Sequence, residues 1–428
     1  MKRSSLIAAA VLSVAAVALA GCSSSPASST PTTGTVQLLG PEDPKTFAPV
    51  IHGFEAKNPG VTVKYTQVPF DQLSSTLQQR LAAKDSTIDV YTVDQPNLPQ
   101  LAAQGFLEDL SALEPEAKAA TTDGQYKINL YKDKMWALSV WNSTQMMFFN
   151  RDALAKAGVT PPSADPADRW TWEQTVEAGR KAQAAGIKSG LLLEQVEAYY
   201  QLQPLVESLG GGSGITGKDM LTPAVETAGW KKAMEWYAGT FASGLSPRGV
   251  GGFQTSPVFA NGDVAFFVGG PWDVGNFSQN AKFDWGIAPL PSFEGGKKVT
   301  PTGSWSWGIN PASKNKELAK KFLTYAALDT EGNLLTTKNT TIIPANSAAE
   351  KKYLPTLEAL GGAHSAGVEK LVAYEVANTA VARPVSVGYV QFDSIMGKAF
   401  ADIRNGADVP ARLSQATQQL KDAWSQLK

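Results

Sequence analysis

The first third of the chain alternates between two hydrophobic periodicities. Apolar residues recur at helical spacing over 46–57 and 70–84, whereas 61–68 alternates between apolar and polar positions as a strand does. Two short apolar segments, 35–39 and 88–93, complete the order strand, helix, strand, helix, strand. This order predicts a wound α/β domain with a mainly parallel sheet.

The remainder of the chain shows the same two periodicities. Thr171 precedes an apolar periodic segment and Gln174 stands three residues later, which predicts a capping box for a helix that begins at Trp172. The chain after residue 348 is mostly helical in pattern. The other predicted elements are helices over 98–106, 150–157, 173–185, 196–209, 223–243, 256–261 and 316–328, a strand-rich connection over 134–149, and strands over 264–268, 283–289 and 305–310.

Polar residues stand where the predicted strands end. Glu42 and Asp43 follow the first strand, and Asp94 and Gln95 follow the third. Ligands of parallel α/β sheets bind beyond the carboxyl ends of the strands. We therefore expect these four residues to border a ligand site, with a role at helix N-termini as the alternative for the three acids.

The first 35 residues have the pattern of an export signal followed by a linker. Two basic residues precede an apolar run over 6–20 that is short for a transmembrane helix. Leu-Ala-Gly followed by Cys22 resembles a bacterial lipobox, and this single cysteine forms no internal disulfide. The sequence predicts a signal peptide over 1–21 and a flexible tether over 22–35, lipid-anchored through Cys22 at the extracytoplasmic face of the cell membrane.

Composition and charge argue against several functions. Lys and Arg total 38 against 39 Asp and Glu, and no basic block appears, so we expect no nucleic-acid partner. With only His52 and His364, the chain has little material for a Ser-His-Asp relay or a histidine metal site, and we predict no metal and no cofactor. The roughly 390 residues beyond the tether are too many for one compact core and predict two domains.

Five segments follow one another in an order typical of one protein family. Segment 148–154 reads FFNRDAL and segment 261–272 reads NGDVAFFVGGPW. In chain order, the five are 89–94 with 101–107, 148–154 with 161–162 and 170–173, 261–272, 308–323, and Arg383-Pro384 with Tyr389. Together they resemble the family 1 extracellular solute-binding proteins, the maltose-binding-protein-like sugar-binding components of ABC importers.

The resemblance implies an α/β, two-lobe, type II periplasmic-binding-protein fold with the ligand cleft between lobes joined by hinge strands. It implies a first lobe of 36–143 plus 302–338 and a second lobe of 147–299 plus 340–428. It also implies a monomer that is not an enzyme. Such a protein captures a carbohydrate, here a di- or oligosaccharide, by lobe closure and delivers it to the transmembrane subunits of an ABC permease.

A carbohydrate site needs aromatic rings for the sugar faces and carboxylates, amides or arginine for the hydroxyls. Trp272 follows a Gly-Gly-Pro turn after a buried strand, which presents its ring at the strand end; packing under the lobe is the alternative. Trp305 shares a strand face with Trp307, so this pair lines the cleft or packs the sheet. The other residues that the resemblance places at the cleft are Trp141, Asn142, Glu197, Tyr200, Arg383 and Tyr389.

Other ligands stay open at this stage. Maltose-binding proteins carry an acidic residue where this chain has Ser143, which indicates a different sugar or a different use of subsites. A glycerophosphodiester or an amino sugar is an alternative ligand for the same fold, and Arg383 would suit a phosphate or a sugar acid. Tyr199 and Tyr200 resemble the adjacent tyrosines of ferric-ion-binding relatives.

An enzyme is the alternative from a different class. A glycosidase needs two carboxylates at a fixed separation across the bond that is cleaved. Asp94 with Glu42 or Glu197 is the candidate pair.

Overall fold

The structure, a computed structural model, describes residues 32–251 and 254–427. The predicted signal peptide, Cys22 and most of the predicted tether lie outside the described residues. The first strand begins at Gly34, inside the predicted tether, and the Gly34 N–H donates to the carbonyl oxygen of Gly60 at 3.1 Å. Among the helices of the described residues, none is long and apolar enough to cross a bilayer.

Strands and helices alternate along the chain. The strands are β1 (Gly34–Gly40), β2 (Val61–Gln67), β3 (Val90–Asp94), β4 (Leu130–Tyr131), β5 (Lys134–Met135), β6 (Leu138–Ser139), β7 (Trp141–Asn142), β8 (Met146–Asn150), β9 (Ser189–Leu193), β10 (Ile215–Thr216), β11 (Thr222–Pro223), β12 (Val264–Gly269), β13 (Trp285–Pro289), β14 (Thr300–Thr302), β15 (Trp305–Ile309), β16 (Ile343–Pro344) and β17 (Ala380–Ala382). The helices are α1 (Pro44–Lys57), α2 (Phe70–Ala82), α3 (Leu98–Ala103), α4 (Glu114–Ala120), α5 (Asp123–Lys127), α6 (Arg151–Lys156), α7 (Trp172–Ala184), α8 (Tyr199–Ser208), α9 (Ala228–Ala242), α10 (Thr255–Ala260), α11 (Trp272–Asn280), α12 (Lys316–Ala327), α13 (Thr330–Thr336), α14 (Ser347–Gly361), α15 (Val368–Asn378), α16 (Tyr389–Arg404) and α17 (Val409–Ser425).

The first sheet has the strand order β2-β1-β3-β15-β6. β1 pairs in parallel with β2 and β3, as predicted, but β15 pairs antiparallel with both β3 and β6. In β2, Val61 and Val63 are buried while residues 62 and 64 are exposed, which is the period of two that the sequence displays. β15 enters this sheet from far along the chain, so the order of elements in the sequence gives no sign of it.

The second sheet has the order β13-β8-β12-β9. β8 runs antiparallel to β12 and β13, and β12 runs parallel to β9. Every residue of β8 and β12 is buried. A strand that is covered on both faces loses its apolar–polar alternation, which explains why the uninterrupted apolar run over 264–268 is a strand.

Each sheet has its own hydrophobic core, and we call the two halves the first lobe and the second lobe. The chain passes from one core to the other over 141–146, returns over 293–307, and passes again at 342–343. Short strand pairs accompany these passages: β7 with β16 and β14 with β17. Each lobe is therefore assembled from separate stretches of the chain.

Capping residues determine where several helices begin. The Thr171 hydroxyl accepts from the Gln174 N–H at 3.1 Å and the Gln174 amide accepts from the Thr171 N–H at 2.8 Å, which confirms the predicted capping box. The predicted start of a helix at residue 223 is wrong, because Thr227 caps α9 and β11 occupies the residues before it. α11 was not predicted; it starts directly at Trp272.

Candidate functional site

Three predicted site residues meet at one edge of the first sheet. Glu42 follows β1, Asp94 ends β3, and Trp305 begins β15. Because β15 is antiparallel to β3, its first residue is paired with the last residue of β3, and Trp305 lies beside Asp94. The Trp305 side chain also hydrogen-bonds to the Glu42 carboxyl group. Trp307, two residues on, is fully buried in the sheet.

A cavity of about 230 Å³ lies at this edge, and we call it the cleft cavity. Its walls come from the first lobe and from α16 of the second lobe. The Phe70 ring meets the Trp305 ring edge-on, with 5.6 Å between centroids. The lining residues are Phe70, Leu73, Ser74, Leu77, Gln78, Thr92, Val93, Asp94, Asn97, Gln100, Leu101, Trp305, Val390 and Asp393.

An ion pair joins the two lobes next to the cleft cavity. Arg383, in the loop between β17 and α16, donates to both oxygens of Asp94, at 2.6 and 3.0 Å. Its guanidinium carbon lies 5.4 Å from the centroid of the Tyr200 ring and 6.0 Å from that of the buried Tyr389 ring. A bidentate arginine–carboxylate pair of this kind fixes both the distance and the relative orientation of the two side chains. Arg383 therefore holds Asp94 and rests on two aromatic rings.

Two carboxyl groups at the cleft have raised pKa values. Burial raises the pKa of Glu42 to about 7, against the opposing effect of the hydrogen bond from Trp305. Desolvation by the surrounding cleft residues also raises the pKa of Asp393 to about 6, although the residue stays exposed to solvent on one side and the charge of Arg383 opposes the shift. Both groups change charge near neutral pH.

Trp272 lies next to Tyr200, the ring on which Arg383 rests, and does not line the cleft cavity. Its indole N–H donates to both oxygens of Glu194, at 2.8 and 2.9 Å, and its ring centroid lies 6.3 Å from that of Tyr200. Although it belongs to α11 of the second lobe, Trp272 packs against the hydrophobic core of the first lobe. Trp272 therefore joins the two lobes by packing, and its contact with a ligand stays a prediction.

Glu194 and Asp273 form a buried carboxyl pair behind Trp272. Burial, and then the charge of Asp273, raise the pKa of Glu194 well above its ordinary range. Burial raises the pKa of Asp273 to about 7, and hydrogen bonds from the Ser256 hydroxyl at 2.7 Å and the Gly270 N–H at 3.2 Å oppose that shift. Sequence reasoning missed Glu194, although it directly follows β9 just as Asp94 ends β3.

Tyr200 contacts the chain where it passes between lobes. Its hydroxyl lies 2.8 Å from the Ser143 hydroxyl, which in turn donates to the carbonyl oxygen of Gly303. Since the Ser143 hydroxyl donates its proton to the Gly303 carbonyl oxygen, the Tyr200 hydroxyl donates to the Ser143 oxygen. The residue that departs from the acidic family pattern thus anchors a cleft tyrosine.

Gln95 is placed differently from the prediction. It is fully buried, and its amide nitrogen lies 3.1–3.2 Å from oxygens of Gln125, Ser139 and Ser306. Its amide oxygen accepts from the Ser304 N–H at 2.7 Å. With both ends occupied inside the protein, Gln95 is not available to a ligand, and we place it outside the site.

Trp141 and Asn142 are also corrected to interior positions. Trp141 is 1 % exposed, stacks on Phe47 with 5.3 Å between centroids, and donates to the Thr336 hydroxyl at 2.9 Å. The Asn142 side-chain oxygen accepts from Gln125 at 2.8 Å and from the Thr302 hydroxyl at 2.9 Å. We call the hydrogen-bonded set of Gln95, Gln125, Ser139, Asn142, Thr302 and Ser306 the hinge network.

Two other predicted residues have different partners. The Asp43 carboxylate accepts from the Lys45 N–H at 2.8 Å, so this exposed residue caps α1, which was the alternative weighed for it. Glu197 pairs with Arg404 and does not line the cleft cavity. Within 32–251 and 254–427, no group of three or more His, Cys, Asp and Glu is arranged to hold a metal ion.

The architecture defines the class of protein. An ABC substrate-binding protein of Listeria monocytogenes, solved in complex with cycloalternan, superimposes with a TM-score of 0.80 at 19 % identity, covering 92 % of this chain and 99 % of that one. The GacH receptor of Streptomyces glaucescens, solved unliganded and with acarbose, gives 0.78 at 22 % identity, covering 92 % and 98 %. The fold is that of the type II periplasmic binding proteins.

The sequence relationship identifies the family. The model of the bacterial extracellular solute-binding proteins matches residues 32–332, and the chain belongs to that family. Among its relatives is the maltodextrin-binding protein of Bacillus subtilis, 28 % identical over 357 residues that cover 79 % of each chain. The resemblance drawn from the five sequence segments is thereby confirmed.

Proposed function

We propose that this protein is the substrate-binding lipoprotein of an ABC importer and that its ligand is a di- or oligosaccharide. The observation that carries the proposal is the alternation of aromatic rings and carboxyl groups along the cleft. Trp305 and Phe70 line the cleft cavity and supply the flat apolar surfaces that suit sugar rings, and Asp94 and Glu42 supply acceptors for hydroxyls. The maltodextrin-binding relative supports the same ligand class.

Lobe closure accompanies binding in this proposal. The Arg383–Asp94 pair and the packing of Trp272 on the first-lobe core both join groups from opposite lobes. A ligand that touches both walls adds contacts to the closed arrangement alone and shifts the population toward it. The closed form is then what the permease subunits of the transporter bind.

The protein acts at the membrane as a monomer held by a lipid. Cys22, behind a lipobox-like segment, provides the acylation site, and the tether separates the folded lobes from the bilayer. We expect Cys22→Ser to move the protein from the membrane fraction to the soluble extracytoplasmic fraction and to abolish incorporation of labelled palmitate. Retention of label in the variant contradicts the anchor.

The protein binds its ligand without cleaving it. Of the candidate glycosidase carboxylates, Asp94 is held by Arg383 and Glu197 by Arg404, so neither is positioned as a free acid beside Glu42. A glycosidase requires one protonated and one ionised carboxyl group across the scissile bond. We expect no release of reducing ends when the protein is incubated with the oligosaccharides it binds.

Calorimetric titration with a ligand panel tests the proposal. The panel holds glucose, maltose, maltotriose, cellobiose, glucosamine, glycerophosphocholine and ferric citrate. We expect binding by a saccharide, and loss of at least tenfold in affinity for Trp305→Ala, since stacking area is lost. Trp136→Ala is the matched control, because this first-lobe tryptophan lies outside the cleft cavity and its indole N–H donates to the Tyr131 carbonyl oxygen. Binding of the phosphodiester or of iron alone overturns the carbohydrate assignment.

A further inference from the structure

The walls of the cleft cavity present more acceptors and negative charge than a neutral sugar needs. Asp94 and Asp393 line it from opposite lobes, and the described residues of its lining include no lysine, arginine or histidine. Glu42 is hydrogen-bonded to the lining residue Trp305. The nearby cation, Arg383, already donates two hydrogen bonds to Asp94. Fully ionised, these three acids and one arginine leave an excess of two negative charges.

Unsatisfied acceptors in the same lining point to a ligand rich in donors. Gln100 is 9 % exposed, and its side-chain oxygen is buried without a hydrogen-bond partner in the described part of the chain. Thr92 is 1 % exposed, and its hydroxyl is likewise buried without a hydrogen-bond partner among the described residues. A buried acceptor that lacks a partner costs about 1–3 kcal/mol, so a ligand that supplies donors recovers that energy. Both side chains line the cleft cavity beside Asp94.

We infer that the cleft cavity receives a protonated amine carried by the saccharide, so that the natural ligand is a cationic amino sugar or an oligosaccharide that contains one. This inference rests on the proposed function and deepens it. An ammonium group has three N–H donors and no acceptor, which complements a wall of carboxylates and an unpaired amide oxygen. The same wall disfavours phosphate esters and sugar acids, whose charge it repels.

The raised pKa values agree with this assignment. Asp393 faces Arg383, Asp94 and Tyr389, and desolvation by the surrounding cleft residues raises its pKa to about 6 despite the arginine. Burial similarly raises the pKa of Glu42 to about 7. A bound cation favours the ionised form of both acids, so its binding releases protons near neutral pH.

Titration with saccharides that differ only in the group at carbon 2 of each ring tests the inference on the full chain. Glucose with glucosamine, and cellobiose with the glucosamine dimer and its N-acetylated form, compare a hydroxyl, an ammonium and a neutral amide on one ring system. We expect the ammonium compound to bind at least tenfold more tightly at pH 6.5. Titration in two buffers of different ionisation enthalpy is expected to show proton release for that compound and none for the hydroxyl compound.

Two variants assign the effect to the cavity. We expect Asp393→Asn, which preserves shape and removes the charge, to reduce the preference for the ammonium compound to less than threefold. Asp402→Asn, on the same helix but outside the cleft cavity and paired with Arg412, is the control and is expected to keep the full preference. The ratio of the two affinities is the readout, so a general loss of stability does not imitate the result.

The outcomes separate this inference from the function it rests on. Equal or tighter binding of the hydroxyl compound overturns the cationic ligand and leaves sugar binding intact. An undiminished preference in Asp393→Asn overturns the role given to the cleft cavity. Failure of every saccharide to bind overturns the proposed function itself.

Discussion

Asp94 and Gln95 are neighbours in the sequence and lie in contrasting parts of the molecule. Asp94 lines the cleft cavity and is held by Arg383 from the other lobe. Gln95 points into the hinge network, is fully buried, and bonds to side chains of its own lobe. Successive residues of extended chain point to opposite sides. Both Asp94 and Gln95 stand at the end of a strand, where ligands bind. The direction of the side chain brings only Asp94 to the cleft cavity.

Trp141 and Trp305 show the same contrast with larger side chains. Trp141 is enclosed by the first-lobe core, whereas Trp305 stands at the cavity between Glu42 and Phe70. The first holds the lobe together and the second meets the ligand in the proposed function. Substitutions at paired positions separate these roles.

Replacing Trp141 is expected to destabilise the protein most. Trp141→Ala removes a buried ring and its bond to Thr336, which costs about 3–5 kcal/mol of unfolding free energy. Trp305→Ala, at a partly exposed ring, is expected to cost less than half as much while losing the ligand. Urea unfolding followed by circular dichroism measures both. Equal losses in the two variants contradict the division between core and cleft.

The carboxyl pair behind Trp272 is expected to make stability depend on pH. Asp273 has a folded pKa of about 7 against 3.8 for the unfolded chain, so the folded state holds its proton more tightly. The contribution of Asp273 to the unfolding free energy therefore falls as pH rises from about 4 to 7 and levels off above that. The decline is at most about 1.4 kcal/mol for each pH unit in that interval.

Asp273→Asn removes that titration. Between pH 5 and pH 7, the unfolding free energy of the variant is expected to decline less than that of the parent. The variant is therefore more stable relative to the parent at pH 7 than at pH 5. Asp402→Asn, at an exposed acid, serves as the control. Parallel pH profiles for the parent and Asp273→Asn contradict the assignment.

The pair Gln95 and Asp94 gives an intermediate test. Gln95→Ala leaves the buried Ser304 N–H without its acceptor and removes a donor from Ser139 and Ser306, which costs about 2 kcal/mol of stability. Asp94→Asn is expected to weaken saccharide binding tenfold or more. Unfolding and titration calorimetry are measured on both variants. If Gln95→Ala loses saccharide affinity at a temperature where it is fully folded, Gln95 contacts the ligand and its interior placement is wrong.

Substitution of Asp43 is expected to change the protein least. Asp43→Ala removes the side-chain cap of α1 and is expected to cost about 1 kcal/mol of stability. Because the carboxylate is exposed and turned to the helix, saccharide affinity is expected to stay within twofold. Asp43→Asn, which still accepts from the Lys45 N–H, is the matched control. A tenfold loss of affinity in either variant shows that Asp43 contacts the ligand.

Local patterns predicted the elements better than the site. The first five elements, the capping box at Thr171 and the buried strand over 264–268 follow from residues close in sequence, and they are present. The entry of β15 into the first sheet is not local, and no periodicity shows it. The start of α9 was misplaced because the helical pattern continues into residues that β11 uses.

The candidate site depends on contacts between distant residues. Asp94 meets both Trp305 and Arg383, although each lies more than 200 residues further along the chain, and the family resemblance, not their spacing, brought Arg383 into the prediction. The same resemblance selected Trp141 and Asn142, which the structure places in the interior. Glu194 and Asp393 were missed, although Glu194 follows a buried strand and fits the rule used for Asp94.

The position of β15 also limits how early the first lobe can complete its fold during synthesis. β15 lies between β3 and β6 in the first sheet, yet it is encoded after most of the second lobe. At about 5–20 residues per second, roughly 10–30 seconds of synthesis separate β6 from β15. The first lobe thus lacks an inner strand until a large part of the second lobe has emerged. A first lobe that folded from a nascent chain shorter than about 310 residues would expose an unpaired edge at β3.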